Sequence, residues 1–191
     1  METTAINYKN IYYPPGGILV WILIFLELIT FGAALIVLVV ASKDNLEQFQ
    51  ASSAHLNATY GAINTIFLLT SGFFMAITVH YFKENKQAKA KLFLNLTMLG
   101  GLLFLVLKSI EYYEKINLGF SLGYDTFFNF YWLLTGFHVI HIIVGLVILL
   151  FMKHSLNKET TKLEDIEASA AFWHMCDLIW LLLFPILYLI F

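Results

Sequence analysis

The chain has 191 residues, 60% hydrophobic, 17% aromatic and 13% charged, with a formal net charge of −2. Soluble domains are about 45–50% apolar and about 25% charged, so this composition is that of a membrane protein. The slightly acidic balance and the lack of a basic stripe exclude nucleic acid as a partner, and the single cysteine, Cys176, excludes an intrachain disulfide and a multi-cysteine zinc site.

Residues 1–17 are polar and aromatic and close on Pro14-Pro15-Gly16-Gly17, a non-helical lead-in. The first expected span is 18–41, with one charge, Glu27. A span needs about 20 apolar residues, and this run is too long and lacks the basic start of a signal peptide. A polar loop follows over 42–59. The second span is 60–82, and a short basic loop carries Lys83, Lys86, Lys89 and Lys91. The third span is 92–113, the fourth 127–152, and a charged loop over 153–169 leads to the fifth, 170–191. Apolar runs without period-two alternation read as helices, which pair their backbone groups internally in lipid. The expected fold is therefore all-α: a polytopic membrane helix bundle, with a segment at 1–17 and a single five-helix domain over 18–191.

All eleven basic residues are lysines, and they set an expected orientation. Eight (Lys9, Lys83, Lys86, Lys89, Lys91, Lys153, Lys158 and Lys162) fall on the side of the N-terminus, against Lys43 and Lys115, with Lys108 if it snorkels. That bias puts the N-terminus in the cytoplasm and the C-terminus outside. Trp21, Tyr60, Tyr81, Tyr112, Tyr131, Trp173 and Tyr188 fall near span ends, as an aromatic belt requires.

Polar residues inside the spans are the functional candidates. Glu27 reads either as a proton-relay carboxyl or as a hydrogen-bonded anchor between helices. His138 and His141, spaced i, i+3, share a helix face with Thr135 and Gly145. They read as haem or metal ligands or, with more weight, as interhelical hydrogen-bonding groups. Their expected partners are Glu27 or the pair His174 and Asp177, which has the same spacing near the cytoplasmic end of the fifth span. That pair reads as a structural contact or a cation or proton site. Lys108 and Glu111 form a helix-end pair, with each other or with an interfacial partner. Asn64, Thr70 and Ser71 read as interhelical hydrogen-bond groups, and Gly100-Gly101 as a place of close helix approach. No Walker A pattern and no autonomous active site is visible.

Five segments, in order, resemble subunit III of the haem–copper respiratory oxidases. They are Glu27 in Phe25-Leu26-Glu27-Leu28, Asn64-Thr65 with Leu68 and Ser71, Glu111-Tyr112, Leu134-Thr135-Gly136 with His138, His141 and Gly145, and Trp173-His174 with Asp177 and Trp180. The chain resembles the short, five-span form of that family. The resemblance implies an accessory subunit without its own active site, binding no cofactor itself, with haem and copper held by partner subunits. It implies assembly with the catalytic subunit I and subunit II, contact with membrane lipids, and residence as a multi-pass protein of the cell inner membrane. The expected function is to stabilise the catalytic subunit and support proton uptake in aerobic electron transport. Subunit-III-like proteins of nitric oxide reductase share the same wording. A proton or cation transporter and a membrane b-type cytochrome are the rivals from other classes.

Overall fold

The computed structural model describes residues 14–157 and 161–191. The expected segment at 1–17 lies mostly outside the described residues, as do Lys9 and Lys158 of the lysine count. Among the described residues six helices follow in order: α1 (Ile18–Asp44), α2 (Leu46–Ser53), α3 (Ala58–Lys83), α4 (Gln87–Asn117), α5 (Thr126–Asn157) and α6 (Leu163–Tyr188). All but α2 are long and apolar enough to cross a membrane, and no strand occurs among the described residues. The chain is an all-α, polytopic membrane bundle.

Helix ends depart from the expected bounds. The loop expected over 42–59 contains α2, α4 extends at both ends of the third span, and α6 starts seven residues before Ala170. Hydropathy marks the length of helix suited to lipid, whereas Lys, Glu, Gln and Ala are strong helix formers that carry a helix past that limit. Position along the helix changes as a result. His174 and Asp177 lie at the midpoint of α6, not near its end. Lys108 lies nine residues before the end of α4, about 14 Å along the axis.

Short connections fix the packing. The α3–α4 turn is Glu84-Asn85-Lys86, with Asn85 in the left-handed region (φ 59°) and Lys86 N–H donating to the Tyr81 carbonyl (2.9 Å). So tight a turn makes α3 and α4 antiparallel neighbours. Asn57 caps α3 by accepting from Thr59 N–H (3.0 Å). Lys83, at the end of α3, pairs with Glu167 in the second turn of α6 (2.7 Å).

α6 is the centre. In its most apolar stretch 56% of residues are buried, against 22% in α1. It packs on α1, α3 and α5, while α4 bridges α3 and α5. Every spanning helix is apolar all round, so hydrophobicity alone does not say which face turns inward. Small residues and polar groups decide that, because lipid tails are as apolar as leucine. The indole of Trp173 shows this. A Cβ on Gly101 would stand 2.6 Å from its Cη2, and one on Gly145 would stand 2.9 Å from its Cε3. Those two glycines let α4 and α5 close on one indole. A Cβ on Gly100 would likewise meet the Ser71 side chain at 2.7 Å, so Gly100-Gly101 is the expected place of close approach.

The aromatic belt is only partly present. Trp21, Tyr60 and Tyr81 are half-buried near helix ends. Trp173, Tyr131 and Tyr188 are buried inside the bundle, because each polar tip finds a partner there.

Candidate functional site

The polar side chains form layers through the bundle. The layer toward the end where α4 stops and α5 begins is built on Lys108. This side chain does not snorkel: it is 1% exposed and its partner Glu111 is 0% exposed. Lys108 Nζ donates to Glu111 Oε2 (3.0 Å), Tyr188 Oη (2.7 Å) and Tyr131 Oη (3.2 Å). Tyr188 in turn donates to Glu111 Oε1 (2.7 Å). The ammonium thus has three acceptors, from α4, α5 and α6. It also lies 4.7–5.4 Å from the ring centroids of Tyr112, Tyr131, Trp180 and Tyr188. A buried ion pair survives only when its remaining donors and acceptors are satisfied, and here the tyrosines do that. Further contacts extend the layer outward. Tyr112 donates to Thr135 (2.8 Å), Tyr60 donates to Glu114 (3.1 Å), and Lys115 donates to the His55 carbonyl.

The middle layers hold the two histidines of α5, and these diverge. His141 Nδ1 lies 2.8 Å from the Phe137 carbonyl and His141 Nε2 lies 3.3 Å from Glu27 Oε2 on α1. A carbonyl only accepts, so Nδ1 carries a proton. The expected Glu27 partnership therefore belongs to His141. Phe31 and Phe137 rings pack on the same imidazole.

His138 behaves otherwise. It is fully buried, stacks on Trp180 (5.4 Å) and meets the edge of Phe104 (5.5 Å), and neither ring nitrogen has a hydrogen-bond partner. The interhelical hydrogen bond expected for His138 is not made. Asn64 is also fully buried with neither amide atom bonded. Thr70 faces outward. Its expected place is taken by Thr65, which accepts from Trp180 Nε1 (2.9 Å). Ser71 makes the expected contacts: it donates to the Thr97 carbonyl (2.6 Å) and accepts from Trp173 Nε1 (3.1 Å).

At the midpoint of α6, His174 Nδ1 lies 3.5 Å from Asp177 Oδ2. The pair touches neither His138 nor His141 through a hydrogen bond; it sits against α3, where Gly72 leaves room for the carboxylate. Outside the spans, Lys86 donates to Glu84 (2.6 Å). This bond holds the Glu84 carboxyl below its usual range and the Lys86 ammonium above its own.

Sequence spacing finds the local pairs Lys108–Glu111 and His174–Asp177. It does not find Tyr131, Tyr188, Trp180 or Trp173 as their partners, since those contacts join distant stretches. The available signal was Trp180 alone, which lies in the middle of the fifth expected span, whereas Tyr131, Trp173 and Tyr188 fall near span ends where an aromatic belt would also put them. Among the described residues no group of three or more His, Cys, Asp or Glu is placed to hold a metal ion. Chemically the arrangement ties helices together and brings a carboxyl and an imidazole into contact between α1 and α5.

The family profile described as cytochrome c oxidase subunit III matches residues 54–190. The chain belongs to the cytochrome c oxidase subunit III family. The similarity to a cytochrome c oxidase subunit 3 of Corynebacterium diphtheriae runs at 26% identity over 98% of this chain and 99% of that protein. A cytochrome bo(3) ubiquinol oxidase subunit 3 of Buchnera aphidicola is 27% identical over 88% of this chain and 83% of its own length. Subunit 3 of Schizophyllum commune is 35% identical over 65% of this chain but only 47% of its own length, so the chain spans about half the length of such relatives. The subunit III match covers α3 to α6 and therefore every polar layer described above except the α1 carboxyl, Glu27.

Proposed function

We propose that this chain is the non-redox accessory subunit III of a haem–copper terminal oxidase. The match to the Corynebacterium subunit along nearly the whole of both chains carries this reading. Its partners are the catalytic subunit I and subunit II, which hold the haem and copper, together with membrane lipids. The complex takes electrons from cytochrome c or a quinol; relatives named for each donor resemble this chain. The protein lies in the cell inner membrane as one five-helix domain, with its N-terminus cytoplasmic, as the lysine bias supports.

Two features support a stabilising role. The buried Lys108 layer locks α4, α5 and α6 to one another, and Trp173 locks α6 against α3, α4 and α5. A rigid bundle of this kind presents a fixed apolar surface to a larger membrane subunit. Support for proton uptake rests on the Glu27–His141 contact, a carboxyl and an imidazole 3.3 Å apart between α1 and α5. The test is purification of the tagged chain from its native membranes in mild detergent. The reading predicts co-elution with haem- and copper-containing subunits in fixed ratio. Elution free of any haem–copper subunit would overturn it.

A further inference from the structure

Positive charge is concentrated at the α3–α4 turn. Residues 83–91 carry Lys83, Lys86, Lys89 and Lys91 against one carboxylate, Glu84, a local charge of +3 in a chain whose net charge is −2. Lys83 pairs with Glu167 (2.7 Å) and Lys86 with Glu84 (2.6 Å). Lys89 and Lys91 form no ion pair among the described residues. Lys86 Nζ and Lys89 Nζ lie 5.9 and 5.2 Å from the Tyr81 ring centroid, and that ring stacks on Phe93 (5.5 Å). One aromatic ring thus gathers ammonium groups that would otherwise spread apart. The start of α6 brings acidic residues to the same end, but Glu167 is taken by Lys83 and Asp165 accepts from the Lys162 backbone N–H. The opposite end of the bundle differs. There Lys108 and Lys115 are buried on partners of the chain itself, and the remaining charges are Asp44, Glu47, Glu114 and Asp125 against Lys43.

Composition fixes what meets this charge. Apolar helix runs to Phe82 on α3 and resumes at Leu92 on α4, so the residues between them stand at the edge of the hydrocarbon. Tyr81 is the amphipathic ring suited to that edge, and lysine ammonium groups beside it reach the level of lipid phosphate. A zwitterionic headgroup carries its own ammonium next to the phosphate. An acidic phospholipid does not, so lysines without a carboxylate favour it. We propose that the α3–α4 turn binds the headgroup of an acidic phospholipid, with Lys89 and Lys91 on its phosphate. This inference deepens the lipid contact of the proposed function. It needs no partner subunit, so its failure leaves the oxidase reading standing.

The test reconstitutes the full chain in phosphatidylcholine vesicles with a trace of spin-labelled phosphatidylglycerol or spin-labelled phosphatidylcholine. The fraction of each label immobilised by the protein gives their relative association. The proposal expects phosphatidylglycerol to be preferred, and the preference to fade in molar salt. Lys89→Gln with Lys91→Gln should lower the preference by about fivefold or more, the share of one lysine near an anionic surface. Lys43→Gln, at the other end of the bundle, should leave it unchanged. Glutamine keeps the helix propensity of lysine at these positions, and an unchanged helical signal checks that the fold is retained. Equal association of the two lipids with the parent chain would overturn the proposal. So would a preference that survives the double replacement, or one that Lys43→Gln removes to the same degree. Loss of the preference in inorganic phosphate, but not in chloride of equal ionic strength, would mark a site for free anions and overturn the lipid assignment. In native membranes, amine-reactive labelling reads Lys89 and Lys91 directly. Protection that persists after the complex is stripped of lipid would mean that an acidic protein segment covers the turn, and the lipid assignment would fall.

Discussion

Replacement of Lys108 by methionine isolates the buried ion pair. Methionine fills most of the same volume, so the change removes the ammonium without opening a large cavity. Glu111 would keep the hydrogen bond from Tyr188 (2.7 Å) and lose its cation, while both tyrosine hydroxyls lose a charged neighbour. Breaking one side of a buried pair costs about 3–5 kcal/mol, because the remaining charge stays without compensation. Lys108→Met should therefore destabilise the bundle by about that amount, and Glu111→Leu by a similar amount. The double variant should return to within about 2 kcal/mol of the parent, since it removes both charges and leaves only the tyrosine hydroxyls to be satisfied. Reversible unfolding of the purified chain in mixed micelles, followed by helical signal against added denaturing detergent, gives all four stabilities of the cycle. Single costs that add up to the double within about 0.5 kcal/mol would refute the coupled-pair account. So would a cost for Lys108→Met below about 1 kcal/mol, the value of an exposed pair.

Other outcomes follow from the same geometry. Gly145→Leu drives a side chain into the Trp173 ring and should cost about 1–3 kcal/mol, with a shift in tryptophan fluorescence, whereas Gly136→Leu, where nothing stands within 4 Å, should leave both unchanged. Ser71→Ala orphans the buried Trp173 indole N–H and should cost about 1–3 kcal/mol in the same unfolding assay. Glu27→Gln should leave assembly largely intact on a native gel of the complex, because the amide still donates to or accepts from His141; complete loss of the subunit would show that the carboxyl itself holds α1 in place. Glu84 has a folded-state value below its unfolded one, so its small contribution is present at neutral pH and is lost as pH falls through the folded value. Lys86→Ala should move the Glu84 carboxyl back up, which carbon-detected NMR of the labelled residue reads directly.

Element type was legible because continuous apolar runs longer than a bilayer crossing have no other solution. Element ends were not, since Gln87 and Leu163 begin helices in segments that look like charged loops. The shift matters to the geometry, as it puts His174 and Asp177 at the middle of α6 rather than near its end. Local pairs were legible from spacing on one helix, as with Lys108 and Glu111. Interhelical partners were not. His138 and His141 share spacing and chemistry, yet one meets a carboxylate and the other meets only aromatic rings. A three-residue step turns the helix by about 300°, which separates the two side chains by about 60° and suffices to aim them at different neighbours. Which neighbour stands there depends on packing set by Gly101, Gly145 and Trp173, contacts between stretches far apart in the chain.

The central claim is that this chain contributes structure and proton-holding groups, and no redox centre, to an oxidase. The most direct measurement is the visible spectrum of the chain expressed alone in a haem-competent host, purified and compared with the complex purified from native membranes. The account predicts no Soret band from the chain alone and a haem spectrum from the complex. A Soret band of b-type, bis-histidine character on the isolated chain would contradict it.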